Sequence, residues 1–379
     1  MLIAARKPLY FGALAAGLLL VVALAVLFRE PVAEQPVGRG PALPRAEFVG
    51  IDRCSECHAE IAKAFAETGH ANTFSMTASS PAAKELDGAI FNDPERKSAF
   101  RFSFDSQAGL EVGIPGKFGG QRFPLSIVLG SGKHAHTFVT LIPGFNGETY
   151  SVEHRVSLFG PEKKLGLTPG HRGVVAAERV QAFGKVEEPP ITRQCIGCHT
   201  VKFDIVDHQL RNVMPNVQCE SCHGAGSRHV TAFENSSSPA DPAIDALRGG
   251  NAAKVLRQIE KCGQCHRLPK DLEPADITPQ YRQLVRFQPV GLMQSECFVK
   301  SGGLLACTTC HDPHRPLADS VSDADGNCAK CHSPAKTPHA VTCPVENQGC
   351  VECHMPRVEI HEGISLRDHW IRVRKTPEK

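Results

Sequence analysis

The most apolar segment of the chain comes first. Pro8 to Phe28 is an uncharged run rich in Leu, Ala and Val, directly after the basic pair Arg6 and Lys7. About 20 apolar residues cross a bilayer as a helix, so the pattern predicts an N-terminal transmembrane anchor over residues 1–28. Arg6 and Lys7 would hold its start on the cytoplasmic side. Ala23-Leu24-Ala25 matches a cleavage triplet, but Val26, Leu27 and Phe28 continue the apolar run beyond it. That placement favours an uncleaved anchor over a signal peptide. Residues 29–46 carry Pro31, Pro36, Gly38, Gly40, Pro41 and Pro44, the composition of a linker. The expected placement is a single-pass protein of a bacterial cytoplasmic membrane, with its body in the periplasm.

Further on the pattern changes. Ala59 to His70 reads as a helix with Ile61 and Phe65 on one face. Phe100, Phe102 and Phe104 alternate with polar residues, and apolar runs follow at 126–129, 137–142 and 149–158. Gly119-Gly120, Gly130-Ser131-Gly132, Gly144 and Gly147 break them, as hairpins require. Beyond residue 190 the apolar segments are short, with 254–259 and 279–285 as helix candidates. The expected organisation is a first segment over 47–89, a β-rich insert without cysteine over 90–190, and a third region over 191–379.

Composition alters this picture in one respect. The 379 residues include 16 Cys and 18 His. Charge is nearly balanced, with 42 Lys and Arg against 40 Asp and Glu, which argues against a nucleic-acid partner. The aromatic share is only 6%, little for an ordinary core. Sixteen cysteines are too many for a routine cytosolic enzyme and require an account as disulfides, metal ligands or cofactor anchors.

Fourteen of them fall into one pattern, C-x-x-C-H. The first copy is Cys54, Cys57 and His58; the second is Cys195, Cys198 and His199; the third is Cys219, Cys222 and His223. The fourth is Cys262, Cys265 and His266, and the fifth is Cys307, Cys310 and His311. Cys328, Cys331 and His332 form the sixth, and Cys350, Cys353 and His354 the seventh. This is the attachment signature of c-type haem. Two thiols add to the porphyrin vinyl groups, and the adjoining imidazole becomes the proximal iron ligand. Zinc sites and redox dithiols also use C-x-x-C, but neither requires His after every pair. Seven covalent haem c groups are expected. Cys297 and Cys343 remain, either as a disulfide or as two thiols.

Each iron needs a second axial ligand. Met1, Met76, Met214, Met293 and Met355 are the only methionines, so bis-His ligation should dominate and potentials should be mostly low. Candidate distal ligands are His70, His134, His229, His314, His339, His361 and His369, equal in number to the motifs. His70 lies about 18 Å along a helix from His58 and cannot close its own iron from there. His314, three residues after His311, would point to the same side of a helix, and His229 stands close after His223. Each would serve another haem and staple motifs together. His136, beside His134, could line the same pocket. His154, His171 and His208 read as structural, with His208 a substitute ligand.

Several stretches carry a resemblance. They are Cys219-Glu-Ser-Cys222-His223-Gly-Ala-Gly-Ser-Arg-His229, Cys307-Thr-Thr-Cys310-His311-Asp-Pro-His314, Cys350-Val-Glu-Cys353-His354-Met-Pro-Arg357, and Asp368-His369-Trp-Ile-Arg372. Gly130-Ser-Gly-Lys-His134-Ala and Arg286-Phe-Gln-Pro-Val-Gly-Leu-Met293 add to them. Together they resemble multihaem c-type cytochromes related to the tetrahaem electron carrier of nitrification, in a superfamily with hydroxylamine oxidoreductase and pentahaem nitrite reductase. The resemblance implies closely stacked haems and axial roles for His229, His314 and His369. It carries neither enzymatic activity over. There is no C-x-x-C-K motif, and beyond the anchor only Tyr150 and Tyr281 are tyrosines.

The expected fold is mostly irregular chain and short α-helices wrapped around covalent haems, with a small antiparallel β region and the N-terminal transmembrane helix. The expected function is electron transfer through mostly bis-His haems, in exchange with redox partner proteins or membrane quinol. The alternative is an oxidoreductase acting on a small nitrogen or sulfur compound at one open iron, with His134, His136, His154, His171 and Arg155 lining the pocket.

Overall fold

The computed structural model describes residues 46–235, 250–317, 321–333, 343 and 348–374. Fifteen strands run through these residues: β1 Phe74–Met76, β2 Ile90–Asp93, β3 Ser98–Asp105, β4 Gly109–Gly113, β5 Arg122–Leu125, β6 Ile127–Leu129, β7 Ala135–Pro143, β8 Thr149–His154, β9 Val156–Phe159, β10 Lys164–Leu167, β11 Gly184–Glu187, β12 Thr200–Val206, β13 Gln209–Pro215, β14 Arg357–His361 and β15 Ile364–Arg367. β2 to β5 form a four-stranded antiparallel meander. A seven-stranded sheet runs β1-β6-β7-β8-β11, with β9 pairing β7 and β10. β12–β13 and β14–β15 are separate hairpins.

The alternation read at Phe100 and Phe102 is the inner face of β3. Both rings are buried with Leu110, Val112, Leu125, Val128, Phe138, Val156 and Leu158 in one apolar cluster. Each such side chain contributes about 1.5–3 kcal/mol by leaving water. The turn from β6 to β7 depends on Gly130, at φ 102°, where a Cβ would meet the Ala135 carbonyl oxygen at 2.3 Å.

The expectation of haem-wrapping irregular chain with a small β region is therefore corrected. The β structure is extensive, builds a hydrophobic core of its own, and extends into hairpins beyond the insert. The β12–β13 turn shows why sequence patterning understated it. Asp207 and His208 take positive φ of 50° and 59°, the backbone of a type I′ hairpin, without the glycine that usually signals one.

The membrane expectation is corrected as well. No helix among the described residues is long and apolar enough to cross a membrane. The expected anchor over 1–28, and the linker up to residue 45, lie outside the described residues. Single-pass placement with a periplasmic body is not carried further.

Helices carry most of the motifs. Pro189–His199, Cys219–His223, Ala252–His266, Val321–His332 and Cys350–His354 each end on the motif histidine. On a helix, positions i, i+3 and i+4 share one face, so the C-x-x-C-H spacing sets both thiols and the imidazole side by side. In Ala252–His266, the Asn251 side chain caps the first turn by accepting from the Lys254 N–H. The same stripe that carries Cys262 and His266 buries Val255 and Ile259, one and two turns earlier, against Leu292, Phe298 and Ala306. The helix expected through His70 stops at Ala66, and His70 begins a separate 3₁₀ turn, His70–Asn72. Residues 279–285 fold partly as the 3₁₀ turn Arg282–Arg286.

Candidate haem sites

Histidines from distant segments face one another in pairs. His58 stands opposite His229 with ring centres 6.3 Å apart, and His266 opposite His70 at 6.2 Å. His223 faces His314 at 6.1 Å, and His311 faces His369 at 6.1 Å. Each pair joins a motif histidine to one outside the motifs. The separation is nearly constant, while the angle between ring planes runs from 12° to 71°. Ring stacking would select the angle. A metal between two nitrogens selects the distance and leaves rotation about the bond free.

The size of the gap fits an iron. An imidazole nitrogen binds a transition metal at about 2 Å. With ~1 Å more to each ring centre, two axial rings stand about 6 Å apart. These donors come as opposed pairs rather than as clusters of three or more metal-binding side chains among the described residues.

The other ring nitrogen is held in several of these histidines, as metal-bound imidazoles require. His266 Nδ1 lies 3.0 Å from Gln288 Oε1, His314 Nδ1 3.1 Å from Asp312 Oδ1, and His369 Nδ1 3.1 Å from the Arg367 carbonyl. His199 and His354 follow the same rule, with Nδ1 against the carbonyls of Thr73 at 2.9 Å and Arg372 at 3.0 Å. Burial favours the neutral ring at these positions. It lowers the pKa of His70, His199 and His311, and takes His369 down to about 4.

The remaining candidates are placed differently. No second histidine ring stands at this separation from His199, His332 or His354 among the described residues. His134 is exposed, near Lys133 and Arg357, and its carbonyl accepts from the Gly160 N–H. His361 uses Nε2 to donate to the Leu167 carbonyl at 2.7 Å, with its ring against Phe159. His339 lies outside the described residues. His208 Nδ1 bonds to the Thr149 hydroxyl at 2.9 Å.

Three of the residues expected to line a substrate pocket, His154, Arg155 and His171, are instead enclosed in the β core. Arg155 is fully buried and spent on structure. Its guanidinium donates to Asp93 at 2.5 Å, to Glu95 at 2.8 Å, and to the His171 carbonyl. Burial alone would raise the Asp93 carboxyl, but Arg155 and two backbone N–H groups hold it below the usual range. His171 Nε2 meets Glu153 at 3.0 Å. His154 is enclosed edge-on between Phe100 and Phe102, and burial lowers its pKa to about 4.

Cys297 and Cys343 are not joined in a disulfide. Cys297 lies near Cys331, and Cys343 near Cys350. The motif cysteines form no disulfides in this structure and would be thioethers once haem is attached. Burial raises the thiols of Cys54 and Cys328 to about 12 and of Cys195 to about 11.

One residue escaped the sequence reading. Glu220, the second position of the third motif, is buried. Its carboxylate accepts from the N–H groups of Val49 at 3.0 Å, Gly50 at 2.8 Å and Gly226 at 2.7 Å. It thereby binds the approach to the first motif onto the third. Nothing in the pattern C-x-x-C-H marks its intervening positions.

Comparison with known proteins gives two findings. Residues 173–224, which hold the second and third motifs, match the family described as cytochrome c554 and c-prime. The structure described as the crystal structure of outer cell wall cytochrome OcwA is similar at a TM-score of 0.46 and 15% identity, over 86% of this chain and 79% of that one. No curated protein sequence matches. The family match, taken with the motifs and the opposed histidines, supports a multihaem c-type cytochrome with covalently bound haem c, and with it electron transfer in general.

Proposed function

We propose that this protein is a heptahaem c-type cytochrome that moves electrons between redox partner proteins. The observation that carries the reading is the set of four opposed histidine pairs, His58–His229, His266–His70, His223–His314 and His311–His369, all separated by 6.1–6.3 Å. When bound, haem supplies the one-electron chemistry, and the chain supplies position and tuning. At these four sites the two opposed imidazoles would hold the iron between them, which would leave no place for a substrate on it and keep its potential low. Cysteine thioethers would fix each ring, and the oxygen partners of Nδ1 hold the imidazoles of His266, His314 and His369.

The first test is ligation state. Ferric EPR and visible spectra of the haem-loaded protein should show low-spin haem at these four sites at least, unchanged by carbon monoxide after reduction. High-spin signals from four or more haems would overturn the reading. One carbon monoxide-binding haem beside low-spin partners would place an open iron among the second, sixth and seventh motifs and bring small nitrogen or sulfur compounds into play as substrates.

A further inference from the structure

Residues 286–293 and 368–372 are far apart in sequence and meet in the fold. Gln288–Gln294 is a short helix with Pro289, Val290, Gly291 and Leu292 buried. Pro289 sits in its first turn, where a missing N–H costs nothing. Leu292 packs with Val255 and Ile259 in one apolar cluster, which fixes this helix against the one that ends on His266.

The first end of the short helix holds His266. Its Nδ1 lies 3.0 Å from Gln288 Oε1. A carboxamide oxygen only accepts, so Nδ1 carries the proton and Nε2 keeps its lone pair for a metal. The ring centre stands 6.2 Å from that of His70.

The other end holds His369. A Cβ at Gly291 would stand 2.8 Å from the Trp370 nitrogen and 2.9 Å from the His369 carbonyl carbon, so only glycine admits the chain this closely. Ser295, next after the helix, is fully buried. Its hydroxyl accepts from the Ile371 N–H at 2.8 Å. It has two carbonyls to take its proton, His369 at 2.9 Å and Gly291 at 3.0 Å. On the far side Asp368 accepts from the Trp370 N–H and from Arg372, both at 2.9 Å. The His369 backbone is pinned from both sides, and its ring faces His311 at 6.1 Å.

Resting on the haem reading above, we propose that Gln288–Gln294 with Ser295 is a two-ended brace for axial histidines. Gln288, Gly291 and Ser295 are its positioning residues. Gln288 sets the tautomer and donor strength of His266 at the fourth motif. Gly291 and Ser295 set the reach of His369 to the fifth. An acceptor on Nδ1 makes the metal-bound nitrogen more basic, and a more basic axial ligand favours ferric iron and lowers the potential. A histidine pushed back by a Cβ leaves the iron open.

The parent protein is measured first. A parent without covalent haem by mass spectrometry, or with high-spin iron at the fourth and fifth sites, defeats the function reading irrespective of the brace. In a haem-loaded, low-spin parent, EPR-monitored potentiometry reads the first end. Gln288→Leu should raise the potential of one haem and Gln288→Glu should lower it. That haem should be the one that His70→Ala turns high-spin. Packing alone would move both variants the same way or neither, and either result overturns the proposal. Carbon monoxide binding after reduction reads the second end. Ser295→Ala and Gly291→Ala should each open one haem, the one that His369→Ala opens, with the larger fraction in Gly291→Ala. Added imidazole should close it again. If Gly291→Ala does not fold, Ser295→Ala and the Gln288 pair decide. Unchanged low-spin spectra in every folded variant of this end overturn the proposal.

Discussion

His223 and His314 face each other with ring centres 6.1 Å apart and planes 12° from parallel, although one belongs to the third motif and the other follows the fifth. An iron held between them is closed by two distant segments at once. His314→Ala should open that site alone. The expected signature is one new high-spin ferric signal and one carbon monoxide-binding haem after reduction. His314→Met should stay low-spin with a raised potential.

Glu220 ties the approach to the first motif onto the third through three N–H groups. Glu220→Ala leaves those donors unpaired, at about 1–3 kcal/mol for a buried one. Urea unfolding should register a loss of about 3 kcal/mol in total. Glu220→Gln keeps an acceptor and removes a buried negative charge. It should unfold close to the parent and raise the potential of the first and third haems in a potentiometric titration.

Arg155 is the one cation fully enclosed in the β core among the described residues, and Asp93 is enclosed with it. Removing one partner of a buried ion pair strands the other, at about 3–5 kcal/mol. Arg155→Met should cost that much in thermal or urea unfolding of the β region. Arg155→Met with Asp93→Asn should recover part of it. Haem spectra should change little, because Arg155 touches none of the paired histidines.

His154 gives the β region a pH dependence. Its folded pKa, lowered to about 4 by burial, lies below the ordinary histidine value of about 6.5. Between those values the unfolded chain binds the proton and the folded chain does not, so stability rises with pH across that window. Acidification from about 6.5 to 4 should cost on the order of 3 kcal/mol. His154→Phe should flatten this limb in denaturant titrations. Asp93 acts lower down. Its folded pKa is depressed, so its contribution is present above about pH 4 and is lost as pH falls through the folded value.

Part of this protein is written in local spacing. C-x-x-C-H places two thiols and an imidazole on one helix face whatever surrounds it, so that grouping was legible without a fold. The strands at Phe100–Phe104 and Thr137–Ile142 were legible too, because alternation in a half-buried strand is a local property. The β12–β13 hairpin was not, since Asp207 and His208 turn it without glycine, and the summed extent of the sheets was missed with it. Which histidine faces which motif was beyond local pattern. His70 meets His266, and His229 meets His58, only because strands and helices carry distant segments together. Glu220 and Arg155 make the same point. One looks like filler inside a motif and the other like a candidate substrate ligand. Their roles depend on which N–H groups and carboxylates the folded chain brings within 3 Å of them, and sequence spacing does not encode that.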